Sequence, residues 1–136
     1  MLFRSLEDRE VGPEEYQVVQ SPQETAHDDV YIHRPIADEE GNVQVALVND
    51  ELKLGIYWEF PILEMPIVTQ WQHFHKGTYV TGIEPGNVSM LGRAWNRKHG
   101  YLHYIQPGEI RDFHLEIGVL EGEEEISAFE RHIKQE

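Results

Sequence analysis

The chain has 136 residues, with 11 Lys and Arg against 25 Asp and Glu and a formal charge of −14. That is one domain's length, and so acidic a surface excludes nucleic acid and anionic membrane as partners, because either polyanion repels it at long range. Cysteine is absent, which excludes disulfides, thiolate metal sites and a cysteine nucleophile together.

A compact fold of this length buries roughly two thirds of its unfolded surface, so a core is expected without covalent staples. The densest apolar window, residues 60–68, is interrupted by Pro61, Glu64 and Pro66, well short of the roughly 18 apolar residues that a membrane helix requires. At the N-terminus, Arg4, Glu7 and Asp8 bring charge before an apolar signal region develops. With neither signal nor cysteine, the expected location is the cytoplasm.

Along the chain, residues 1–14 read as a disordered arm. From there the hydrophobic pattern has period two, the mark of strands with one buried face. Strands are expected at 15–20, 29–34, 43–48, 52–60, 68–74, 78–84, 101–105 and 113–119. The clearest place Leu52, Leu54, Ile56, Trp58 and Phe60 on one face, and Phe113, Leu115, Ile117 and Val119 on another. Turns are expected at Glu40-Gly41-Asn42, at Asn49-Asp50 and at Gln106-Pro107-Gly108-Glu109, where Pro presets φ and Gly accepts a positive φ. Two hairpins follow from them. Residues 123–136 read as a helix, with Ile126, Phe129 and Ile133 at i, i+3 and i+7 behind three acidic residues that suit a helix N-terminus. The fold class is therefore all-β, an antiparallel sandwich over 15–122 closed by a short C-terminal helix.

The segment 78–87 holds the most chemistry. Counting by two puts Glu84 on one face with Thr78, Val80 and Gly82, beside a position with no side chain, where a ligand can approach a strand closely. A carboxylate fixed at a strand end suits a general base; the plainer alternative is a solvated glutamate before a turn. Thr69, Trp71, His73 and His75 share a face of the preceding strand. An indole among hydrogen-bonding groups suits a sugar, whose C–H face packs on aromatic rings while its hydroxyls need partners; the alternative is a core Trp with two solvated histidines. The same H-x-H pair with Glu84 as a third ligand gives a cupin-like metal reading, although the spacing to Glu84 is longer than the cupin motif. Asp28 and Asp29 stand at the mouth of a strand, able to grip hydroxyls or to serve the turn itself. The stretch 92–98 is locally basic, fit for an anionic group or for loop solvation.

In order along the chain, Val45-Ala46-Leu47-Val48-Asn49, Thr69-Gln70-Trp71, Tyr79-Val80-Thr81-Gly82-Ile83-Glu84-Pro85-Gly86-Asn87, Gly92-Arg93-Ala94 and Leu115-Glu116-Ile117-Gly118-Val119-Leu120 resemble the C-terminal half of aldose 1-epimerase-like proteins of the galactose mutarotase superfamily. The resemblance covers residues 10–122. It implies a β-supersandwich that binds an aldose and interconverts its anomers: a base takes the anomeric proton, an acid protonates the ring oxygen, the ring opens, and reclosure gives either anomer. By motif match, it implies Glu84 as base, Asp28 as a holder of sugar hydroxyls, and Trp71, Asn87 and Arg93 near the cleft, with no metal or organic cofactor. Members are longer, and their acid histidine lies in a half with no counterpart here, so the chain reads as a truncated form expected to self-associate. Two rivals accompany the isomerase reading, a non-catalytic carbohydrate-binding module and a cupin-like metal protein.

Overall fold

The computed structural model describes Arg4–Ser5, residues 13–25 and residues 27–134. The expected arm at 1–14 lies mostly outside the described residues. The elements are β1 (Arg4–Ser5), α1 (Pro13–Tyr16), β2 (Asp29–His33), β3 (Asn42–Asn49), β4 (Leu54–Pro61), β5 (Ile67–His73), β6 (Val80–Gly86), α2 (Arg93–Lys98), β7 (Glu116–Glu121) and α3 (Gly122–Lys134). Among the described residues no helix is long and apolar enough to cross a membrane.

The chain forms two compact units, one holding residues 1–35 and 65–110, the other residues 36–64 and 111–136. The first is built on a four-stranded sheet in the order β1-β2-β5-β6, antiparallel throughout. Its register places Val30 opposite Trp71, Ile32 opposite Thr69, Gly82 opposite Trp71 and Glu84 opposite Thr69. Because side chains alternate across a strand and opposite residues share a face, one face carries Val30, Ile32, Thr69, Trp71, His73, Val80, Gly82 and Glu84. The other carries Tyr31, His33, Val68, Gln70 and Gln72, and α1 is tied to it. The Tyr16 carbonyl accepts from Gln70 Nε2 at 2.8 Å and from Gln72 Nε2 at 3.3 Å. The Tyr16 ring lies 5.2 Å from His33 and 6.1 Å from Tyr31. His33 Nε2 meets Gln70 Oε1 at 2.9 Å, and burial holds the imidazole below its ordinary pKa, opposed by that hydrogen bond.

The second unit is a three-stranded antiparallel sheet, β3-β4-β7, with α3 against one face. Tyr57 places its ring 5.4 Å from Phe129 of α3 at a tilt of 42°, and its hydroxyl donates to Glu116 at 2.6 Å. Its ring crosses Gly118, where a Cβ would fall inside it. At the start of α3, Glu123, Glu124 and Glu125 offset the helix dipole, and Glu125 reaches back to accept from the Glu121 backbone N–H at 2.8 Å.

Four sequence expectations meet a different structure. Residues 15–20 are not a strand: Pro13 opens α1, where its fixed φ and missing N–H suit a first helical position. Residues 101–105 carry no strand either; Tyr101 is held by Arg34, which donates to its hydroxyl at 2.9 Å, and by stacking on Trp95 at 5.8 Å. The basic stretch 92–98 is α2, with Arg97 and Lys98 at the helix end that favours cations. Finally, the expected strand at 113–119 begins only at Glu116: Phe113 and Leu115 precede β7, Ile117 and Val119 lie on it, and all four are exposed, whereas Leu120 is buried on the face of β7 that carries Gly118 and lies toward α3. The turn at 106–109 forms as expected, with Glu109 N donating to Gln106 O at 2.9 Å and Gly108 at φ +80°, but it joins no pair of strands. The hairpin expected at Asn49-Asp50 forms as β3–β4, and a second hairpin, β5–β6, stands in place of one at 106–109.

Candidate functional site

The site candidates Asp28, Trp71 and Glu84 come from three adjacent strands or their ends in the first unit. Trp71 is central, half-buried on β5 between Val30 on β2 and Gly82 on β6. Glu84 is exposed on the edge strand β6, which runs two residues past it to Gly86. Pro85 is tolerated there because an edge strand can spare a backbone donor. A Cβ on Gly82 would stand 2.7 Å from Glu84 Oε1, so the carboxylate folds back along its own strand into the space that the glycine leaves, toward the Trp71 row.

Asp28 lies one residue before β2, and its carboxylate points at β5 rather than at its own turn. Its Oδ1 accepts from Trp71 Nε1 at 3.2 Å and from His73 Nδ1 at 2.7 Å. These bonds, the one from His73 foremost, hold the Asp28 carboxyl below its ordinary pKa. An ionised carboxylate only accepts, so the His73 proton at this contact sits on Nδ1. On the far side of the ring, His73 Nε2 is 3.1 Å from Thr78 Oγ1. The result is a chain of polar groups, Asp28–His73–Thr78, running along the edge of the indole. The Trp71 and His73 ring centroids are 6.3 Å apart, and His75 follows 6.2 Å beyond His73.

The two remaining candidates stand apart from this arrangement. Asn87 is half-buried directly after β6, and Arg93 is exposed at the first position of α2. Neither is hydrogen-bonded to Asp28, Trp71 or Glu84. What fixes α2 is Asn96, which is 1% exposed: its Nδ2 donates to the carbonyls of Ser89 and Gly92, both at 2.9 Å, and its Oδ1 accepts from Ser89 Oγ at 2.8 Å. Among the described residues no group of three or more His, Asp or Glu is placed to hold a metal ion. The cupin-like grouping of His73, His75 and Glu84 is therefore not assembled.

Sequence reasoning found the Glu84 and Gly82 relationship by counting, but it missed the role of Thr78 and the pairing of His73 with Asp28. Thr78 lies in the turn between β5 and β6, where period two gives no information. Asp28 is separated from His73 by 45 residues, and only the β2–β5 register brings them level.

The family model described as "Domain of unknown function (DUF4432)" matches residues 4–119. No curated protein matches the chain. Among solved structures, the chain is similar to a crystal structure of a "putative aldose 1-epimerase" from Klebsiella pneumoniae subsp. pneumoniae, with 29% sequence identity and a TM-score of 0.83. The match covers 90% of this chain and 32% of that one, so this chain spans about a third of the length of the solved relative. The fold class is that expected, mostly antiparallel β with a C-terminal helix, of the mutarotase-like β-sandwich type. The chain belongs to the family described as "Domain of unknown function (DUF4432)", and its fold is that of the aldose 1-epimerase-like proteins of the galactose mutarotase superfamily.

Proposed function

We propose that the chain binds an aldose on the face of the first sheet and interconverts its anomers by acid–base ring opening. The observation that carries this reading is the Glu84 carboxylate folded over Gly82, directly across from the half-buried Trp71. The indole offers a flat apolar surface for the C–H face of a pyranose. Glu84 takes the proton of the anomeric hydroxyl as the bond from C1 to the ring oxygen breaks and water protonates that oxygen. On reclosure of the rotated aldehyde, the C5 hydroxyl gives its proton back to water and Glu84 returns its own to the new anomeric oxygen. The likeness to a protein described as an aldose 1-epimerase supports the same chemistry.

The test is polarimetry on freshly dissolved α-D-glucose and α-D-galactose with wild type and Glu84→Gln. Wild type is expected to reach the equilibrium rotation faster than buffer, and Glu84→Gln to follow buffer while still binding sugar. Wild type that follows buffer overturns the catalytic reading.

A second reading, a carbohydrate-binding module without turnover, is favoured by one observation: the Trp71 indole and the Asp28 carboxylate that accepts its N–H at 3.2 Å suit a sugar's C–H face and hydroxyls with no acid–base step. It predicts sugar binding by wild type with no gain in mutarotation.

A further inference from the structure

We propose that Arg34 reads an anionic group on the ligand, so that the sugars this site prefers are acidic aldoses, with a phosphate ester or a carboxylate on the carbon outside the ring. The assignment rests on the acid–base reading above and narrows its substrate class.

The first observation is a break in the charge pattern. The chain carries −14 overall, yet residues 85–108 contain Arg93, Arg97 and Lys98 and no Asp or Glu. All three are exposed, as is Arg34, and the four belong to the same compact unit. Among the described residues none of them is ion-paired with a carboxylate, whereas Lys53 and Lys76 each find one. With 25 acidic residues against 11 basic ones, cations left without a carboxylate in one unit keep their charge available to a ligand.

The second observation is that the Arg34 guanidinium is held in place. Its Nη2 donates to the Tyr101 hydroxyl at 2.9 Å, and its Cζ lies 5.2 Å from the centroid of the Tyr101 ring. Tyr101 stacks on Trp95 at 5.8 Å, and Trp95 on His99 at 4.0 Å. The Tyr101 backbone N–H donates to the Asn96 carbonyl at 2.8 Å, so the whole column is fastened to α2. Fixing so long a side chain costs rotamer entropy, which one hydrogen bond to a neutral hydroxyl and one exposed cation–π contact do little more than offset. What the column yields is orientation. Tyr101 takes one N–H of the guanidinium, and the others remain to grip a carboxylate or phosphate in a two-pronged bond.

The third observation is position. Asp28, Val30, Ile32 and Arg34 alternate along β2 and its two ends, with Val30 opposite Trp71 and Ile32 opposite Thr69. The Trp71 row therefore has a carboxylate at one end and a guanidinium at the other. By register, Arg34 and Trp71 are rooted about 14 Å apart, from four residues at about 3.4 Å and one strand spacing of about 4.8 Å. A long arginine side chain and the exocyclic arm of a sugar divide that span between them. The acidity of the chain does not prevent this. Charges more than about 8 Å away are largely screened at physiological salt, while a guanidinium in contact with the anion is not. Neutral aldoses keep the indole and Glu84 and bind more weakly.

The experiment compares D-glucose, D-glucose 6-phosphate and D-glucuronate by NMR titration and by anomer exchange, with wild type, Arg34→Gln and Glu84→Gln and with thermal melts to check folding. Wild type is expected to bind at least one of the acidic sugars about tenfold more tightly than D-glucose, the ratio of a charge-assisted hydrogen bond at an exposed site. Raising the salt from about 20 mM to about 500 mM is expected to remove most of that ratio. In Arg34→Gln the ratio is expected to fall to about one with D-glucose bound as before, and in Glu84→Gln to persist without turnover. The acidic sugar that gains more, phosphate or uronate, names the group that Arg34 reads. A ratio near one in wild type overturns the proposal whether or not Arg34→Gln folds. So does a ratio that Arg34→Gln leaves unchanged, the result expected if Arg34 only staples Tyr101 to β2. If wild type speeds anomer exchange of neutral and acidic sugars with equal KM, the proposal falls and the proposed function stands. If wild type prefers an acidic sugar through Arg34 and exchanges anomers no faster than buffer, the anion site stands and the mutarotase reading falls. Failure to bind any of the three sugars overturns both.

Discussion

Glu84 and Gly82 are coupled through a missing atom: a Cβ on residue 82 would stand 2.7 Å from Glu84 Oε1, closer than nonbonded atoms tolerate. The obstructing atom belongs to the far end of a flexible side chain, so Gly82→Ala is expected to move the carboxylate and not the strand. The melting temperature should stay near that of wild type, while the mutarotation rate falls by about a hundredfold, the cost of displacing a reacting group by about an ångström. Thermal denaturation and polarimetry on one preparation check both halves.

Trp71 gives two separable effects. Trp71→Ala removes the proposed platform and is expected to weaken aldose binding by about fivefold, corresponding to a stacking contribution of about 1 kcal/mol. Trp71→Phe keeps a ring and removes the N–H that Asp28 accepts. Its effect is a partial rise of the Asp28 carboxyl pKa toward the ordinary value, partial because the stronger His73 hydrogen bond remains. Calorimetric titration with sugar and carbon-detected NMR titration of Asp28 distinguish the two variants.

How far the sequence reaches into this site depends on the range of each relationship. The faces of β4, β5 and β6 follow from alternation, a local property, and the place of Glu84 beside Gly82 needs only a count of two. The chain from Asp28 through His73 to Thr78 needs the register between β2 and β5 and the course of a turn, and neither leaves a periodic trace. Apolar alternation also does not say which face is covered. Along β7, Ile117 and Val119 look like core and are exposed, while Leu120 is buried, because α3 chooses the side. Asn96 belongs to the same class: nothing in a basic stretch marks a buried asparagine that ties down a helix.

Asn96→Ala removes three hydrogen bonds from a buried site and leaves the Ser89 hydroxyl and two carbonyls to find other partners. The expected loss is about 2–3 kcal/mol in chemical denaturation. A loss within about 0.5 kcal/mol, the usual range for surface substitutions, would mean that the Ser89 to Asn96 contacts do not secure α2.

Two histidines act on stability with opposite signs. Burial lowers the folded-state pKa of His33, so below its unfolded value of about 6.5 the unfolded chain binds the proton more readily. Stability then falls as pH drops from that value toward the folded one. His114 is raised by its hydrogen bond to Glu64, so its contribution is fully present below the unfolded pKa and is lost as pH rises through the folded one. His33→Gln should flatten the decline on the acidic side, and His114→Gln should remove a decline on the neutral side, in melting temperatures measured from pH 5 to pH 8. Glu64, held below its ordinary pKa by the His114 backbone bond first, gives stability that is lost only at lower pH, as the pH falls through its folded value.

The most direct test of the central claim is NMR magnetisation exchange between the α and β anomeric protons of D-glucose and D-galactose at equilibrium, with wild-type protein and with Glu84→Gln. Wild type is expected to produce exchange between the two anomeric signals of at least one sugar at a rate proportional to protein concentration, and Glu84→Gln to leave exchange at the buffer rate. Equal exchange with wild type, Glu84→Gln and buffer would contradict the account.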